Sequence, residues 1–204
     1  MMDNGARISY GNKMGQMKNP VRWVVSLASI LCMMLYLSGC ASKQVETVEL
    51  PKFTKADMKY KSIYVENFTI SPKGVDEKEA AAHLAESQSS CVNELTKSGL
   101  FDNVKSGPKG AASGSGLIAQ GELTKLRIVG GAARFWVGGL AGRSNMTLHV
   151  KVVDAVTGKV VAEKDIDEDT NPIAGAWSLG ASDRGLPEKV GSLIAQYVVE
   201  SAKK

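Results

Sequence analysis

The feature that most constrains this fold is the run Asn145–Asp154, NMTLHVKVVD. Its apolar residues Met146, Leu148, Val150 and Val152 alternate with Thr147, His149 and Lys151. A period of two puts one set on a buried face and the other on a solvated face, which describes a half-buried strand. AVTG follows, with Gly158 able to take positive φ, and Lys159–Asp167 then returns as the partner strand. A sheet built on this hairpin needs something to cover its apolar face.

Two helices can supply the cover. Asp76 and Glu79 have the spacing of an N-terminal cap, in which side chains satisfy orphan N–H groups of the first turn. The helix then runs to about Ser98, with Ala80, Ala81, Leu84, Cys91, Val92 and Leu95 on its apolar face. Gly99 suits the residue after its end. A second helix begins near Pro187 and presents Val190, Leu193, Ile194, Tyr197 and Val198 at helical spacing, with Lys203 and Lys204 at its C-terminal dipole. Other strands are expected at Ser62–Phe68, at Leu100–Val104 and over Leu117–Val129, the last with an irregularity near Gly121. The order β-α-β-β-β-β-α predicts an α+β fold. It would be a mostly antiparallel, mixed sheet of about four or five strands with two helices packed on one face. The first β-α-β passage allows one right-handed parallel pair.

The N-terminal region reads as an address rather than as part of this domain. Trp23–Leu37 is an uncharged apolar run of 15 residues, preceded by Lys18 and Arg22. It is shorter than the roughly 20 residues of a spanning helix and fits the apolar core of a secretory signal. Translation starting at Met14 or Met17 instead of Met1 would give a more compact signal. Residues 1–39 are therefore expected to be a signal peptide, 40–61 a polar tether, and 62–204 a single periplasmic domain. The net charge of +4 loses its usual meaning here. Four cations and one acid fall within residues 1–39, so the remainder is nearly neutral and nucleic acid is not an expected partner.

LSGC at Leu37–Cys40 resembles the lipobox of bacterial lipoproteins. The resemblance implies cleavage between Gly39 and Cys40 and lipid on Cys40, as palmitate and related acyl chains. Ala41 and Ser42 stand where an inner-membrane retention signal would place Asp, so it further implies the outer membrane, facing the periplasm. Several acyl chains on one cysteine anchor durably, at about 0.8 kcal/mol per buried CH₂.

Residues able to carry chemistry are sparse. Cys91 lacks a disulfide partner once Cys32 is removed and Cys40 modified, and it reads as a small buried hydrophobe. His83 lies eight residues from Cys91 on one helix, too far around the axis for a dyad. His149 is expected to face solvent or pair across the strand. GPKGAASGSG, at 107–116, has no Lys-Ser/Thr leading a helix and reads as a flexible loop rather than a phosphate cradle. DIDEDTN, at 165–171, lacks the central Gly and terminal Glu of a calcium loop and reads as a solvated acidic loop within an irregular stretch reaching Gly185. No catalytic residue, cofactor or metal is expected.

VGGAARFWVGGLAGRSN, at 129–145, holds two arginines and two large aromatics and has no acid. It is expected to be a strand-to-strand connection bent at its glycines. Phe135 and Trp136 either pack under it or stand exposed as an anchor for a partner or a lipid surface. Arg134, Phe135, Trp136 and Arg143 are the candidate interaction residues.

SIYVENF, KSGLFDNV, LIAQGELTKL and GLAGRSNMTLHVKVVDAVTGKVV, taken with LSGC, resemble bacterial lipoproteins of a domain-of-unknown-function family. Their wider relatives include the N-terminal domain of the Tol translocation protein, activator lipoproteins of penicillin-binding proteins and the curli-secretion lipoprotein. This implies a non-enzymatic envelope protein that docks on another cell-envelope protein as adaptor or activator. The alternative is a subunit of an oligomeric secretion or pore complex, and a homo-oligomer is open in either case. A third reading is a lipid- or glycan-binding domain.

Overall fold

The hairpin forms where its alternation places it. In the computed structural model, which describes residues 52–203 apart from 73, 74, 76, 113 and 179, β5 is Asn145–Asp154 and β6 is Val160–Asp169. They pair antiparallel, with His149 opposite Asp165. Met146, Leu148, Val150 and Val152 are all fully buried. Each such side chain contributes about 1.5–3 kcal/mol relative to exposure. The described residues all belong to the unit Lys43–Lys204. The signal segment, Gly39, Cys40, the alternative start sites and the Asp76–Glu79 cap lie outside what can be described.

Four further strands complete one sheet: β1 (Ser62–Glu66), β2 (Thr69–Ile70), β3 (Asn103–Gly107) and β4 (Leu117–Arg127). The order is β3-β1-β4-β5-β6, with β2 pairing β4 beyond the end of β1. β1 is parallel to both β3 and β4, whereas β4–β5 and β5–β6 are antiparallel, so the sheet is mixed. The fold is α+β as expected, with one strand more than the upper count because β2 is only two residues long.

Two long helices cover the apolar face. α1 is Glu77–Ser98 and α5 is Leu186–Ser201. Gly99 ends α1 at φ +63°, a conformation open to glycine. The helices meet where Gly191 faces Ser87 and Ser90, and a Cβ there would collide with the Ser87 carbonyl. Ser87 Oγ donates to Pro187 O at 2.9 Å and Ser90 Oγ to Glu188 O at 2.8 Å. These bonds satisfy carbonyls and hydroxyls along the seam.

Several local expectations shift. Within residues 55–61, read as tether, Met58 and the half-buried Tyr60 pack on the domain while the others stay exposed. Met58 is buried, pairs with Lys203, and Lys59 N–H donates to Ala202 O. Alternating charge hid one large apolar side chain with a place in the core. β3 begins at Asn103 rather than Leu100, because Leu100 and Phe101 turn inward as buried plugs. The irregularity expected near Gly121 falls between Leu123 and Lys125, where the register slips and Leu123 and Leu126 change phase. Gly121 is instead the place where the Phe68 ring lies on the strand. The Gly-rich loop after β3 is clasped by buried Glu66, which accepts from Gly110 N–H at 3.0 Å and from Gln120 Nε2 at 2.8 Å.

Candidate docking surface

The largest departures lie beyond the Asn145–Asp169 end of the hairpin. The stretch 129–145, expected as a bent connection, contains helix α2 (Gly131–Val137) and a 3-10 turn, Gly138–Ala141. Ala132, Ala133, Arg134, Phe135 and Trp136 are compatible with helix once Gly130 supplies an extended entry, and Gly138 stops the helix at φ +57°. The acidic segment is likewise strand as far as Asp169, two residues beyond the expected end at Asp167. Across the strands Asp165 meets His149 and Asp167 meets Thr147, while Asp169 meets Arg143 just ahead of β5. After it come α3 (Pro172–Trp177) and α4 (Ala181–Arg184). Asn171 caps α3 by accepting from Ile173 N–H at 2.9 Å, with Pro172 at its first position.

One buried cluster locks these short helices to the sheet. Arg134, 1% exposed, donates from Nε and Nη2 to the two carboxylate oxygens of Asp183, at 2.9 and 2.8 Å. Its Nη1 donates to Gly142 O at 2.8 Å. Asp183 Oδ1 also accepts from Ser144 Oγ at 2.6 Å and Thr170 Oγ1 at 2.8 Å. Val129 N–H donates to Ser144 Oγ, and Thr170 N–H to Ser144 O. Burial pushes the Asp183 carboxyl up, but the Arg134, Ser144 and Thr170 donors outweigh it and hold the group below its usual range. The hydrogen bond to Asp183 likewise pushes the Arg134 guanidinium up, so it stays charged.

With its polar groups turned inward, this cap presents carbon outward. Trp136 is 81% exposed, Trp177 87%, Leu140 94%, Phe135 67% and Ile173 64%. Phe135 and Trp136 stack edge to face, with centroids 5.3 Å apart. A soluble surface rarely carries so many large apolar side chains together, and such patches mark interaction sites.

The candidate residues thus divide. Phe135 and Trp136 take the exposed alternative. Arg143 is at the rim, paired with Asp169 at 3.0 Å. Arg134 is not on the surface, because its guanidinium is spent on Asp183. Leu140, Ile173 and Trp177 join the face without having been picked out, and Asp183, Ser144 and Thr170 were missed as its lock. The one available signal was Asp183 as the lone acid between Asp169 and Glu188, which does not tell which of the two arginines of the acid-free run it meets.

The remaining titratable groups are structural in geometry. His149 pairs across the strand, with Nδ1 2.6 Å from Asp165 and Nε2 2.7 Å from Glu163. These bonds, Asp165 first, push its pKa up against the opposing effect of burial. Burial pushes the Cys91 thiol up to about 12, away from a thiolate. Among the described residues, no group of three or more His, Cys, Asp or Glu side chains could hold a metal ion, and no helix is long and apolar enough to cross a membrane.

A family model described as Domain of unknown function (DUF4410) matches residues 63–171. No curated protein matches the chain. Three solved structures are similar to it. Protein XCC0632 from Xanthomonas campestris, a DUF330 protein, is 11% identical with a TM-score of 0.47, covering 76% of this chain and 93% of that one. A PelC dodecamer from Paraburkholderia phytofirmans is 12% identical with a TM-score of 0.43, covering 77% and 96%. CT253 from Chlamydia trachomatis is 9% identical with a TM-score of 0.38, covering 68% and 98%.

Proposed function

We propose a function from the residues themselves, since the chain belongs to the DUF4410 family, whose description assigns none. It is a non-enzymatic lipoprotein of the cell envelope, held on the outer membrane through Cys40. Its domain docks on another envelope component through the cap. The observation that carries this reading is the set of apolar side chains at Phe135, Trp136, Leu140, Ile173 and Trp177, exposed on helices that a buried ion pair holds rigid. A patch left outside by a rigid support is a surface awaiting contact.

Two experiments test it. Replacing Cys40 by Ser should abolish incorporation of labelled palmitate into the chain, and labelling that persists would refute Cys40 as the anchor. A photo-crosslinking side chain at 136, 140, 173 or 177 in intact cells should give adducts that exposed sites on the β5–β6 turn do not. Equal labelling at both ends of the sheet would refute docking through the cap.

A further inference from the structure

We propose that the component covered by the cap is the bilayer surface itself, so that the domain lies on the membrane at a second point besides Cys40. This rests on the reading of the cap as the docking face and names its partner as a lipid surface with anionic headgroups.

The chemistry of the face argues for lipid. Neither the stretch from Val129 to Asn145 nor that from Thr170 to Ser182 contains an acid. The cap's own carboxylate, Asp183, is buried under Arg134. Exposed Arg127 and Arg184 lie beside Gly142 and Gly180 of the cap, and exposed Arg143 is ion-paired with Asp169, so these four side chains net two positive charges. An apolar centre of Trp, Phe, Leu and Ile with a cationic rim is the composition of an interfacial element. Indole rings sit at headgroup level, and guanidinium groups meet lipid phosphates.

The length of the chain ahead of the domain permits this placement. The chain enters at the end of the sheet where Tyr60 Oη donates to Asp154, while the cap lies at the Asn145 end of the same strand. Ten residues of β5 separate the ends, about 30 Å. Lys52 follows Cys40 by 12 residues, which can span at most about 40 Å. The lipid on Cys40 and the cap can therefore reach one leaflet together. Once the anchor is inserted, the second contact is intramolecular in effect, so even a weak cap–bilayer affinity is realised.

The chain itself supplies the probe. Of its three tryptophans, two are Trp136 and Trp177 in the cap. The full chain with Trp23→Phe, so that uncleaved precursor adds no emission, is placed with its lipid in vesicles of equal phosphatidylethanolamine and phosphatidylglycerol with brominated acyl chains. An interfacial helix sits about 5–10 Å into the headgroup boundary, so bromine should quench emission by about twofold and iodide in the buffer should not. Leu140→Asp, at a solvent-exposed position, should abolish the bromine quenching without altering the circular dichroism. Emission shielded from both quenchers would overturn the bilayer proposal in favour of a second copy, leaving docking intact. Emission open to iodide and blind to bromine would overturn it too, and cap crosslinks in cells would then decide whether docking on a protein survives.

Discussion

Arg134 and Asp183 lie 49 residues apart and meet in a two-pronged, fully buried ion pair. Neither could be left in the interior alone, and together they join α2 to α4 beneath an exposed apolar face. Removing one partner of a buried pair typically costs about 3–5 kcal/mol, because the other charge stays desolvated. Arg134→Met should therefore lower stability by that order in urea unfolding. Arg134→Met with Asp183→Leu should recover part of the loss. Strictly additive losses would show that the two side chains do not act as a pair.

The same pair sets an acid limit. The folded-state pKa of Asp183 lies below its unfolded value near 3.9. Its contribution is complete above the unfolded pKa and is lost as pH falls through the folded one. Stability measured between about pH 5 and pH 2 should fall more steeply in the native chain than in Asp183→Asn. Parallel curves would exclude Asp183 as a source of acid lability.

Much of this fold was legible in the sequence, and the reason is periodicity. Met146 to Val152 repeat every two residues and Val190 to Val198 follow a 3.6-residue period, so each element declares its buried face. α2 and α3 are too short to show a period. Seven and six residues make at most two turns each, and the glycines within and around them read as loop. Asn171–Pro172 was a usable start signal, an N-cap followed by a residue favoured at the first helical position. Arg134 could not be assigned from sequence, because an arginine beside two aromatics looks like a surface residue until its acid is located. Which side of α2 faces inward depends on Asp183, and that is a tertiary fact.

Helix contact should be intolerant at Gly191. A Cβ there runs into backbone of α1 at Ser87 and Cys91, which cannot swing aside as a flexible side chain would. Gly191→Ala should destabilise by about 1–3 kcal/mol despite the better helix propensity of alanine. A rise in the thermal midpoint would show that the helices separate easily.

His149 should titrate above its ordinary value. Hydrogen bonds to Asp165 and then Glu163 favour the imidazolium, against burial. With a folded pKa above the unfolded value of about 6.5, the stabilisation is complete below about pH 6.5 and is lost as pH rises through the folded value. His149→Gln should flatten the stability profile above about pH 6.5. An imidazole NMR titration centred at or below the unfolded value would contradict the pairing.

Cys91 should be silent until the domain opens. Its thiol, on α1, is fully buried, and burial pushes it up to about 12. At neutral pH almost no thiolate exists, and the thiolate is the species that alkylates. Iodoacetamide should therefore modify Cys91 in urea and spare it in buffer, as read by peptide mass. Because reaction requires opening, its rate in low urea should follow the unfolding equilibrium, and Arg134→Met should accelerate it if loss of the cap loosens the whole domain. Acceleration absent in a variant already shown to be less stable would place the cap and the α1 core in separate opening units.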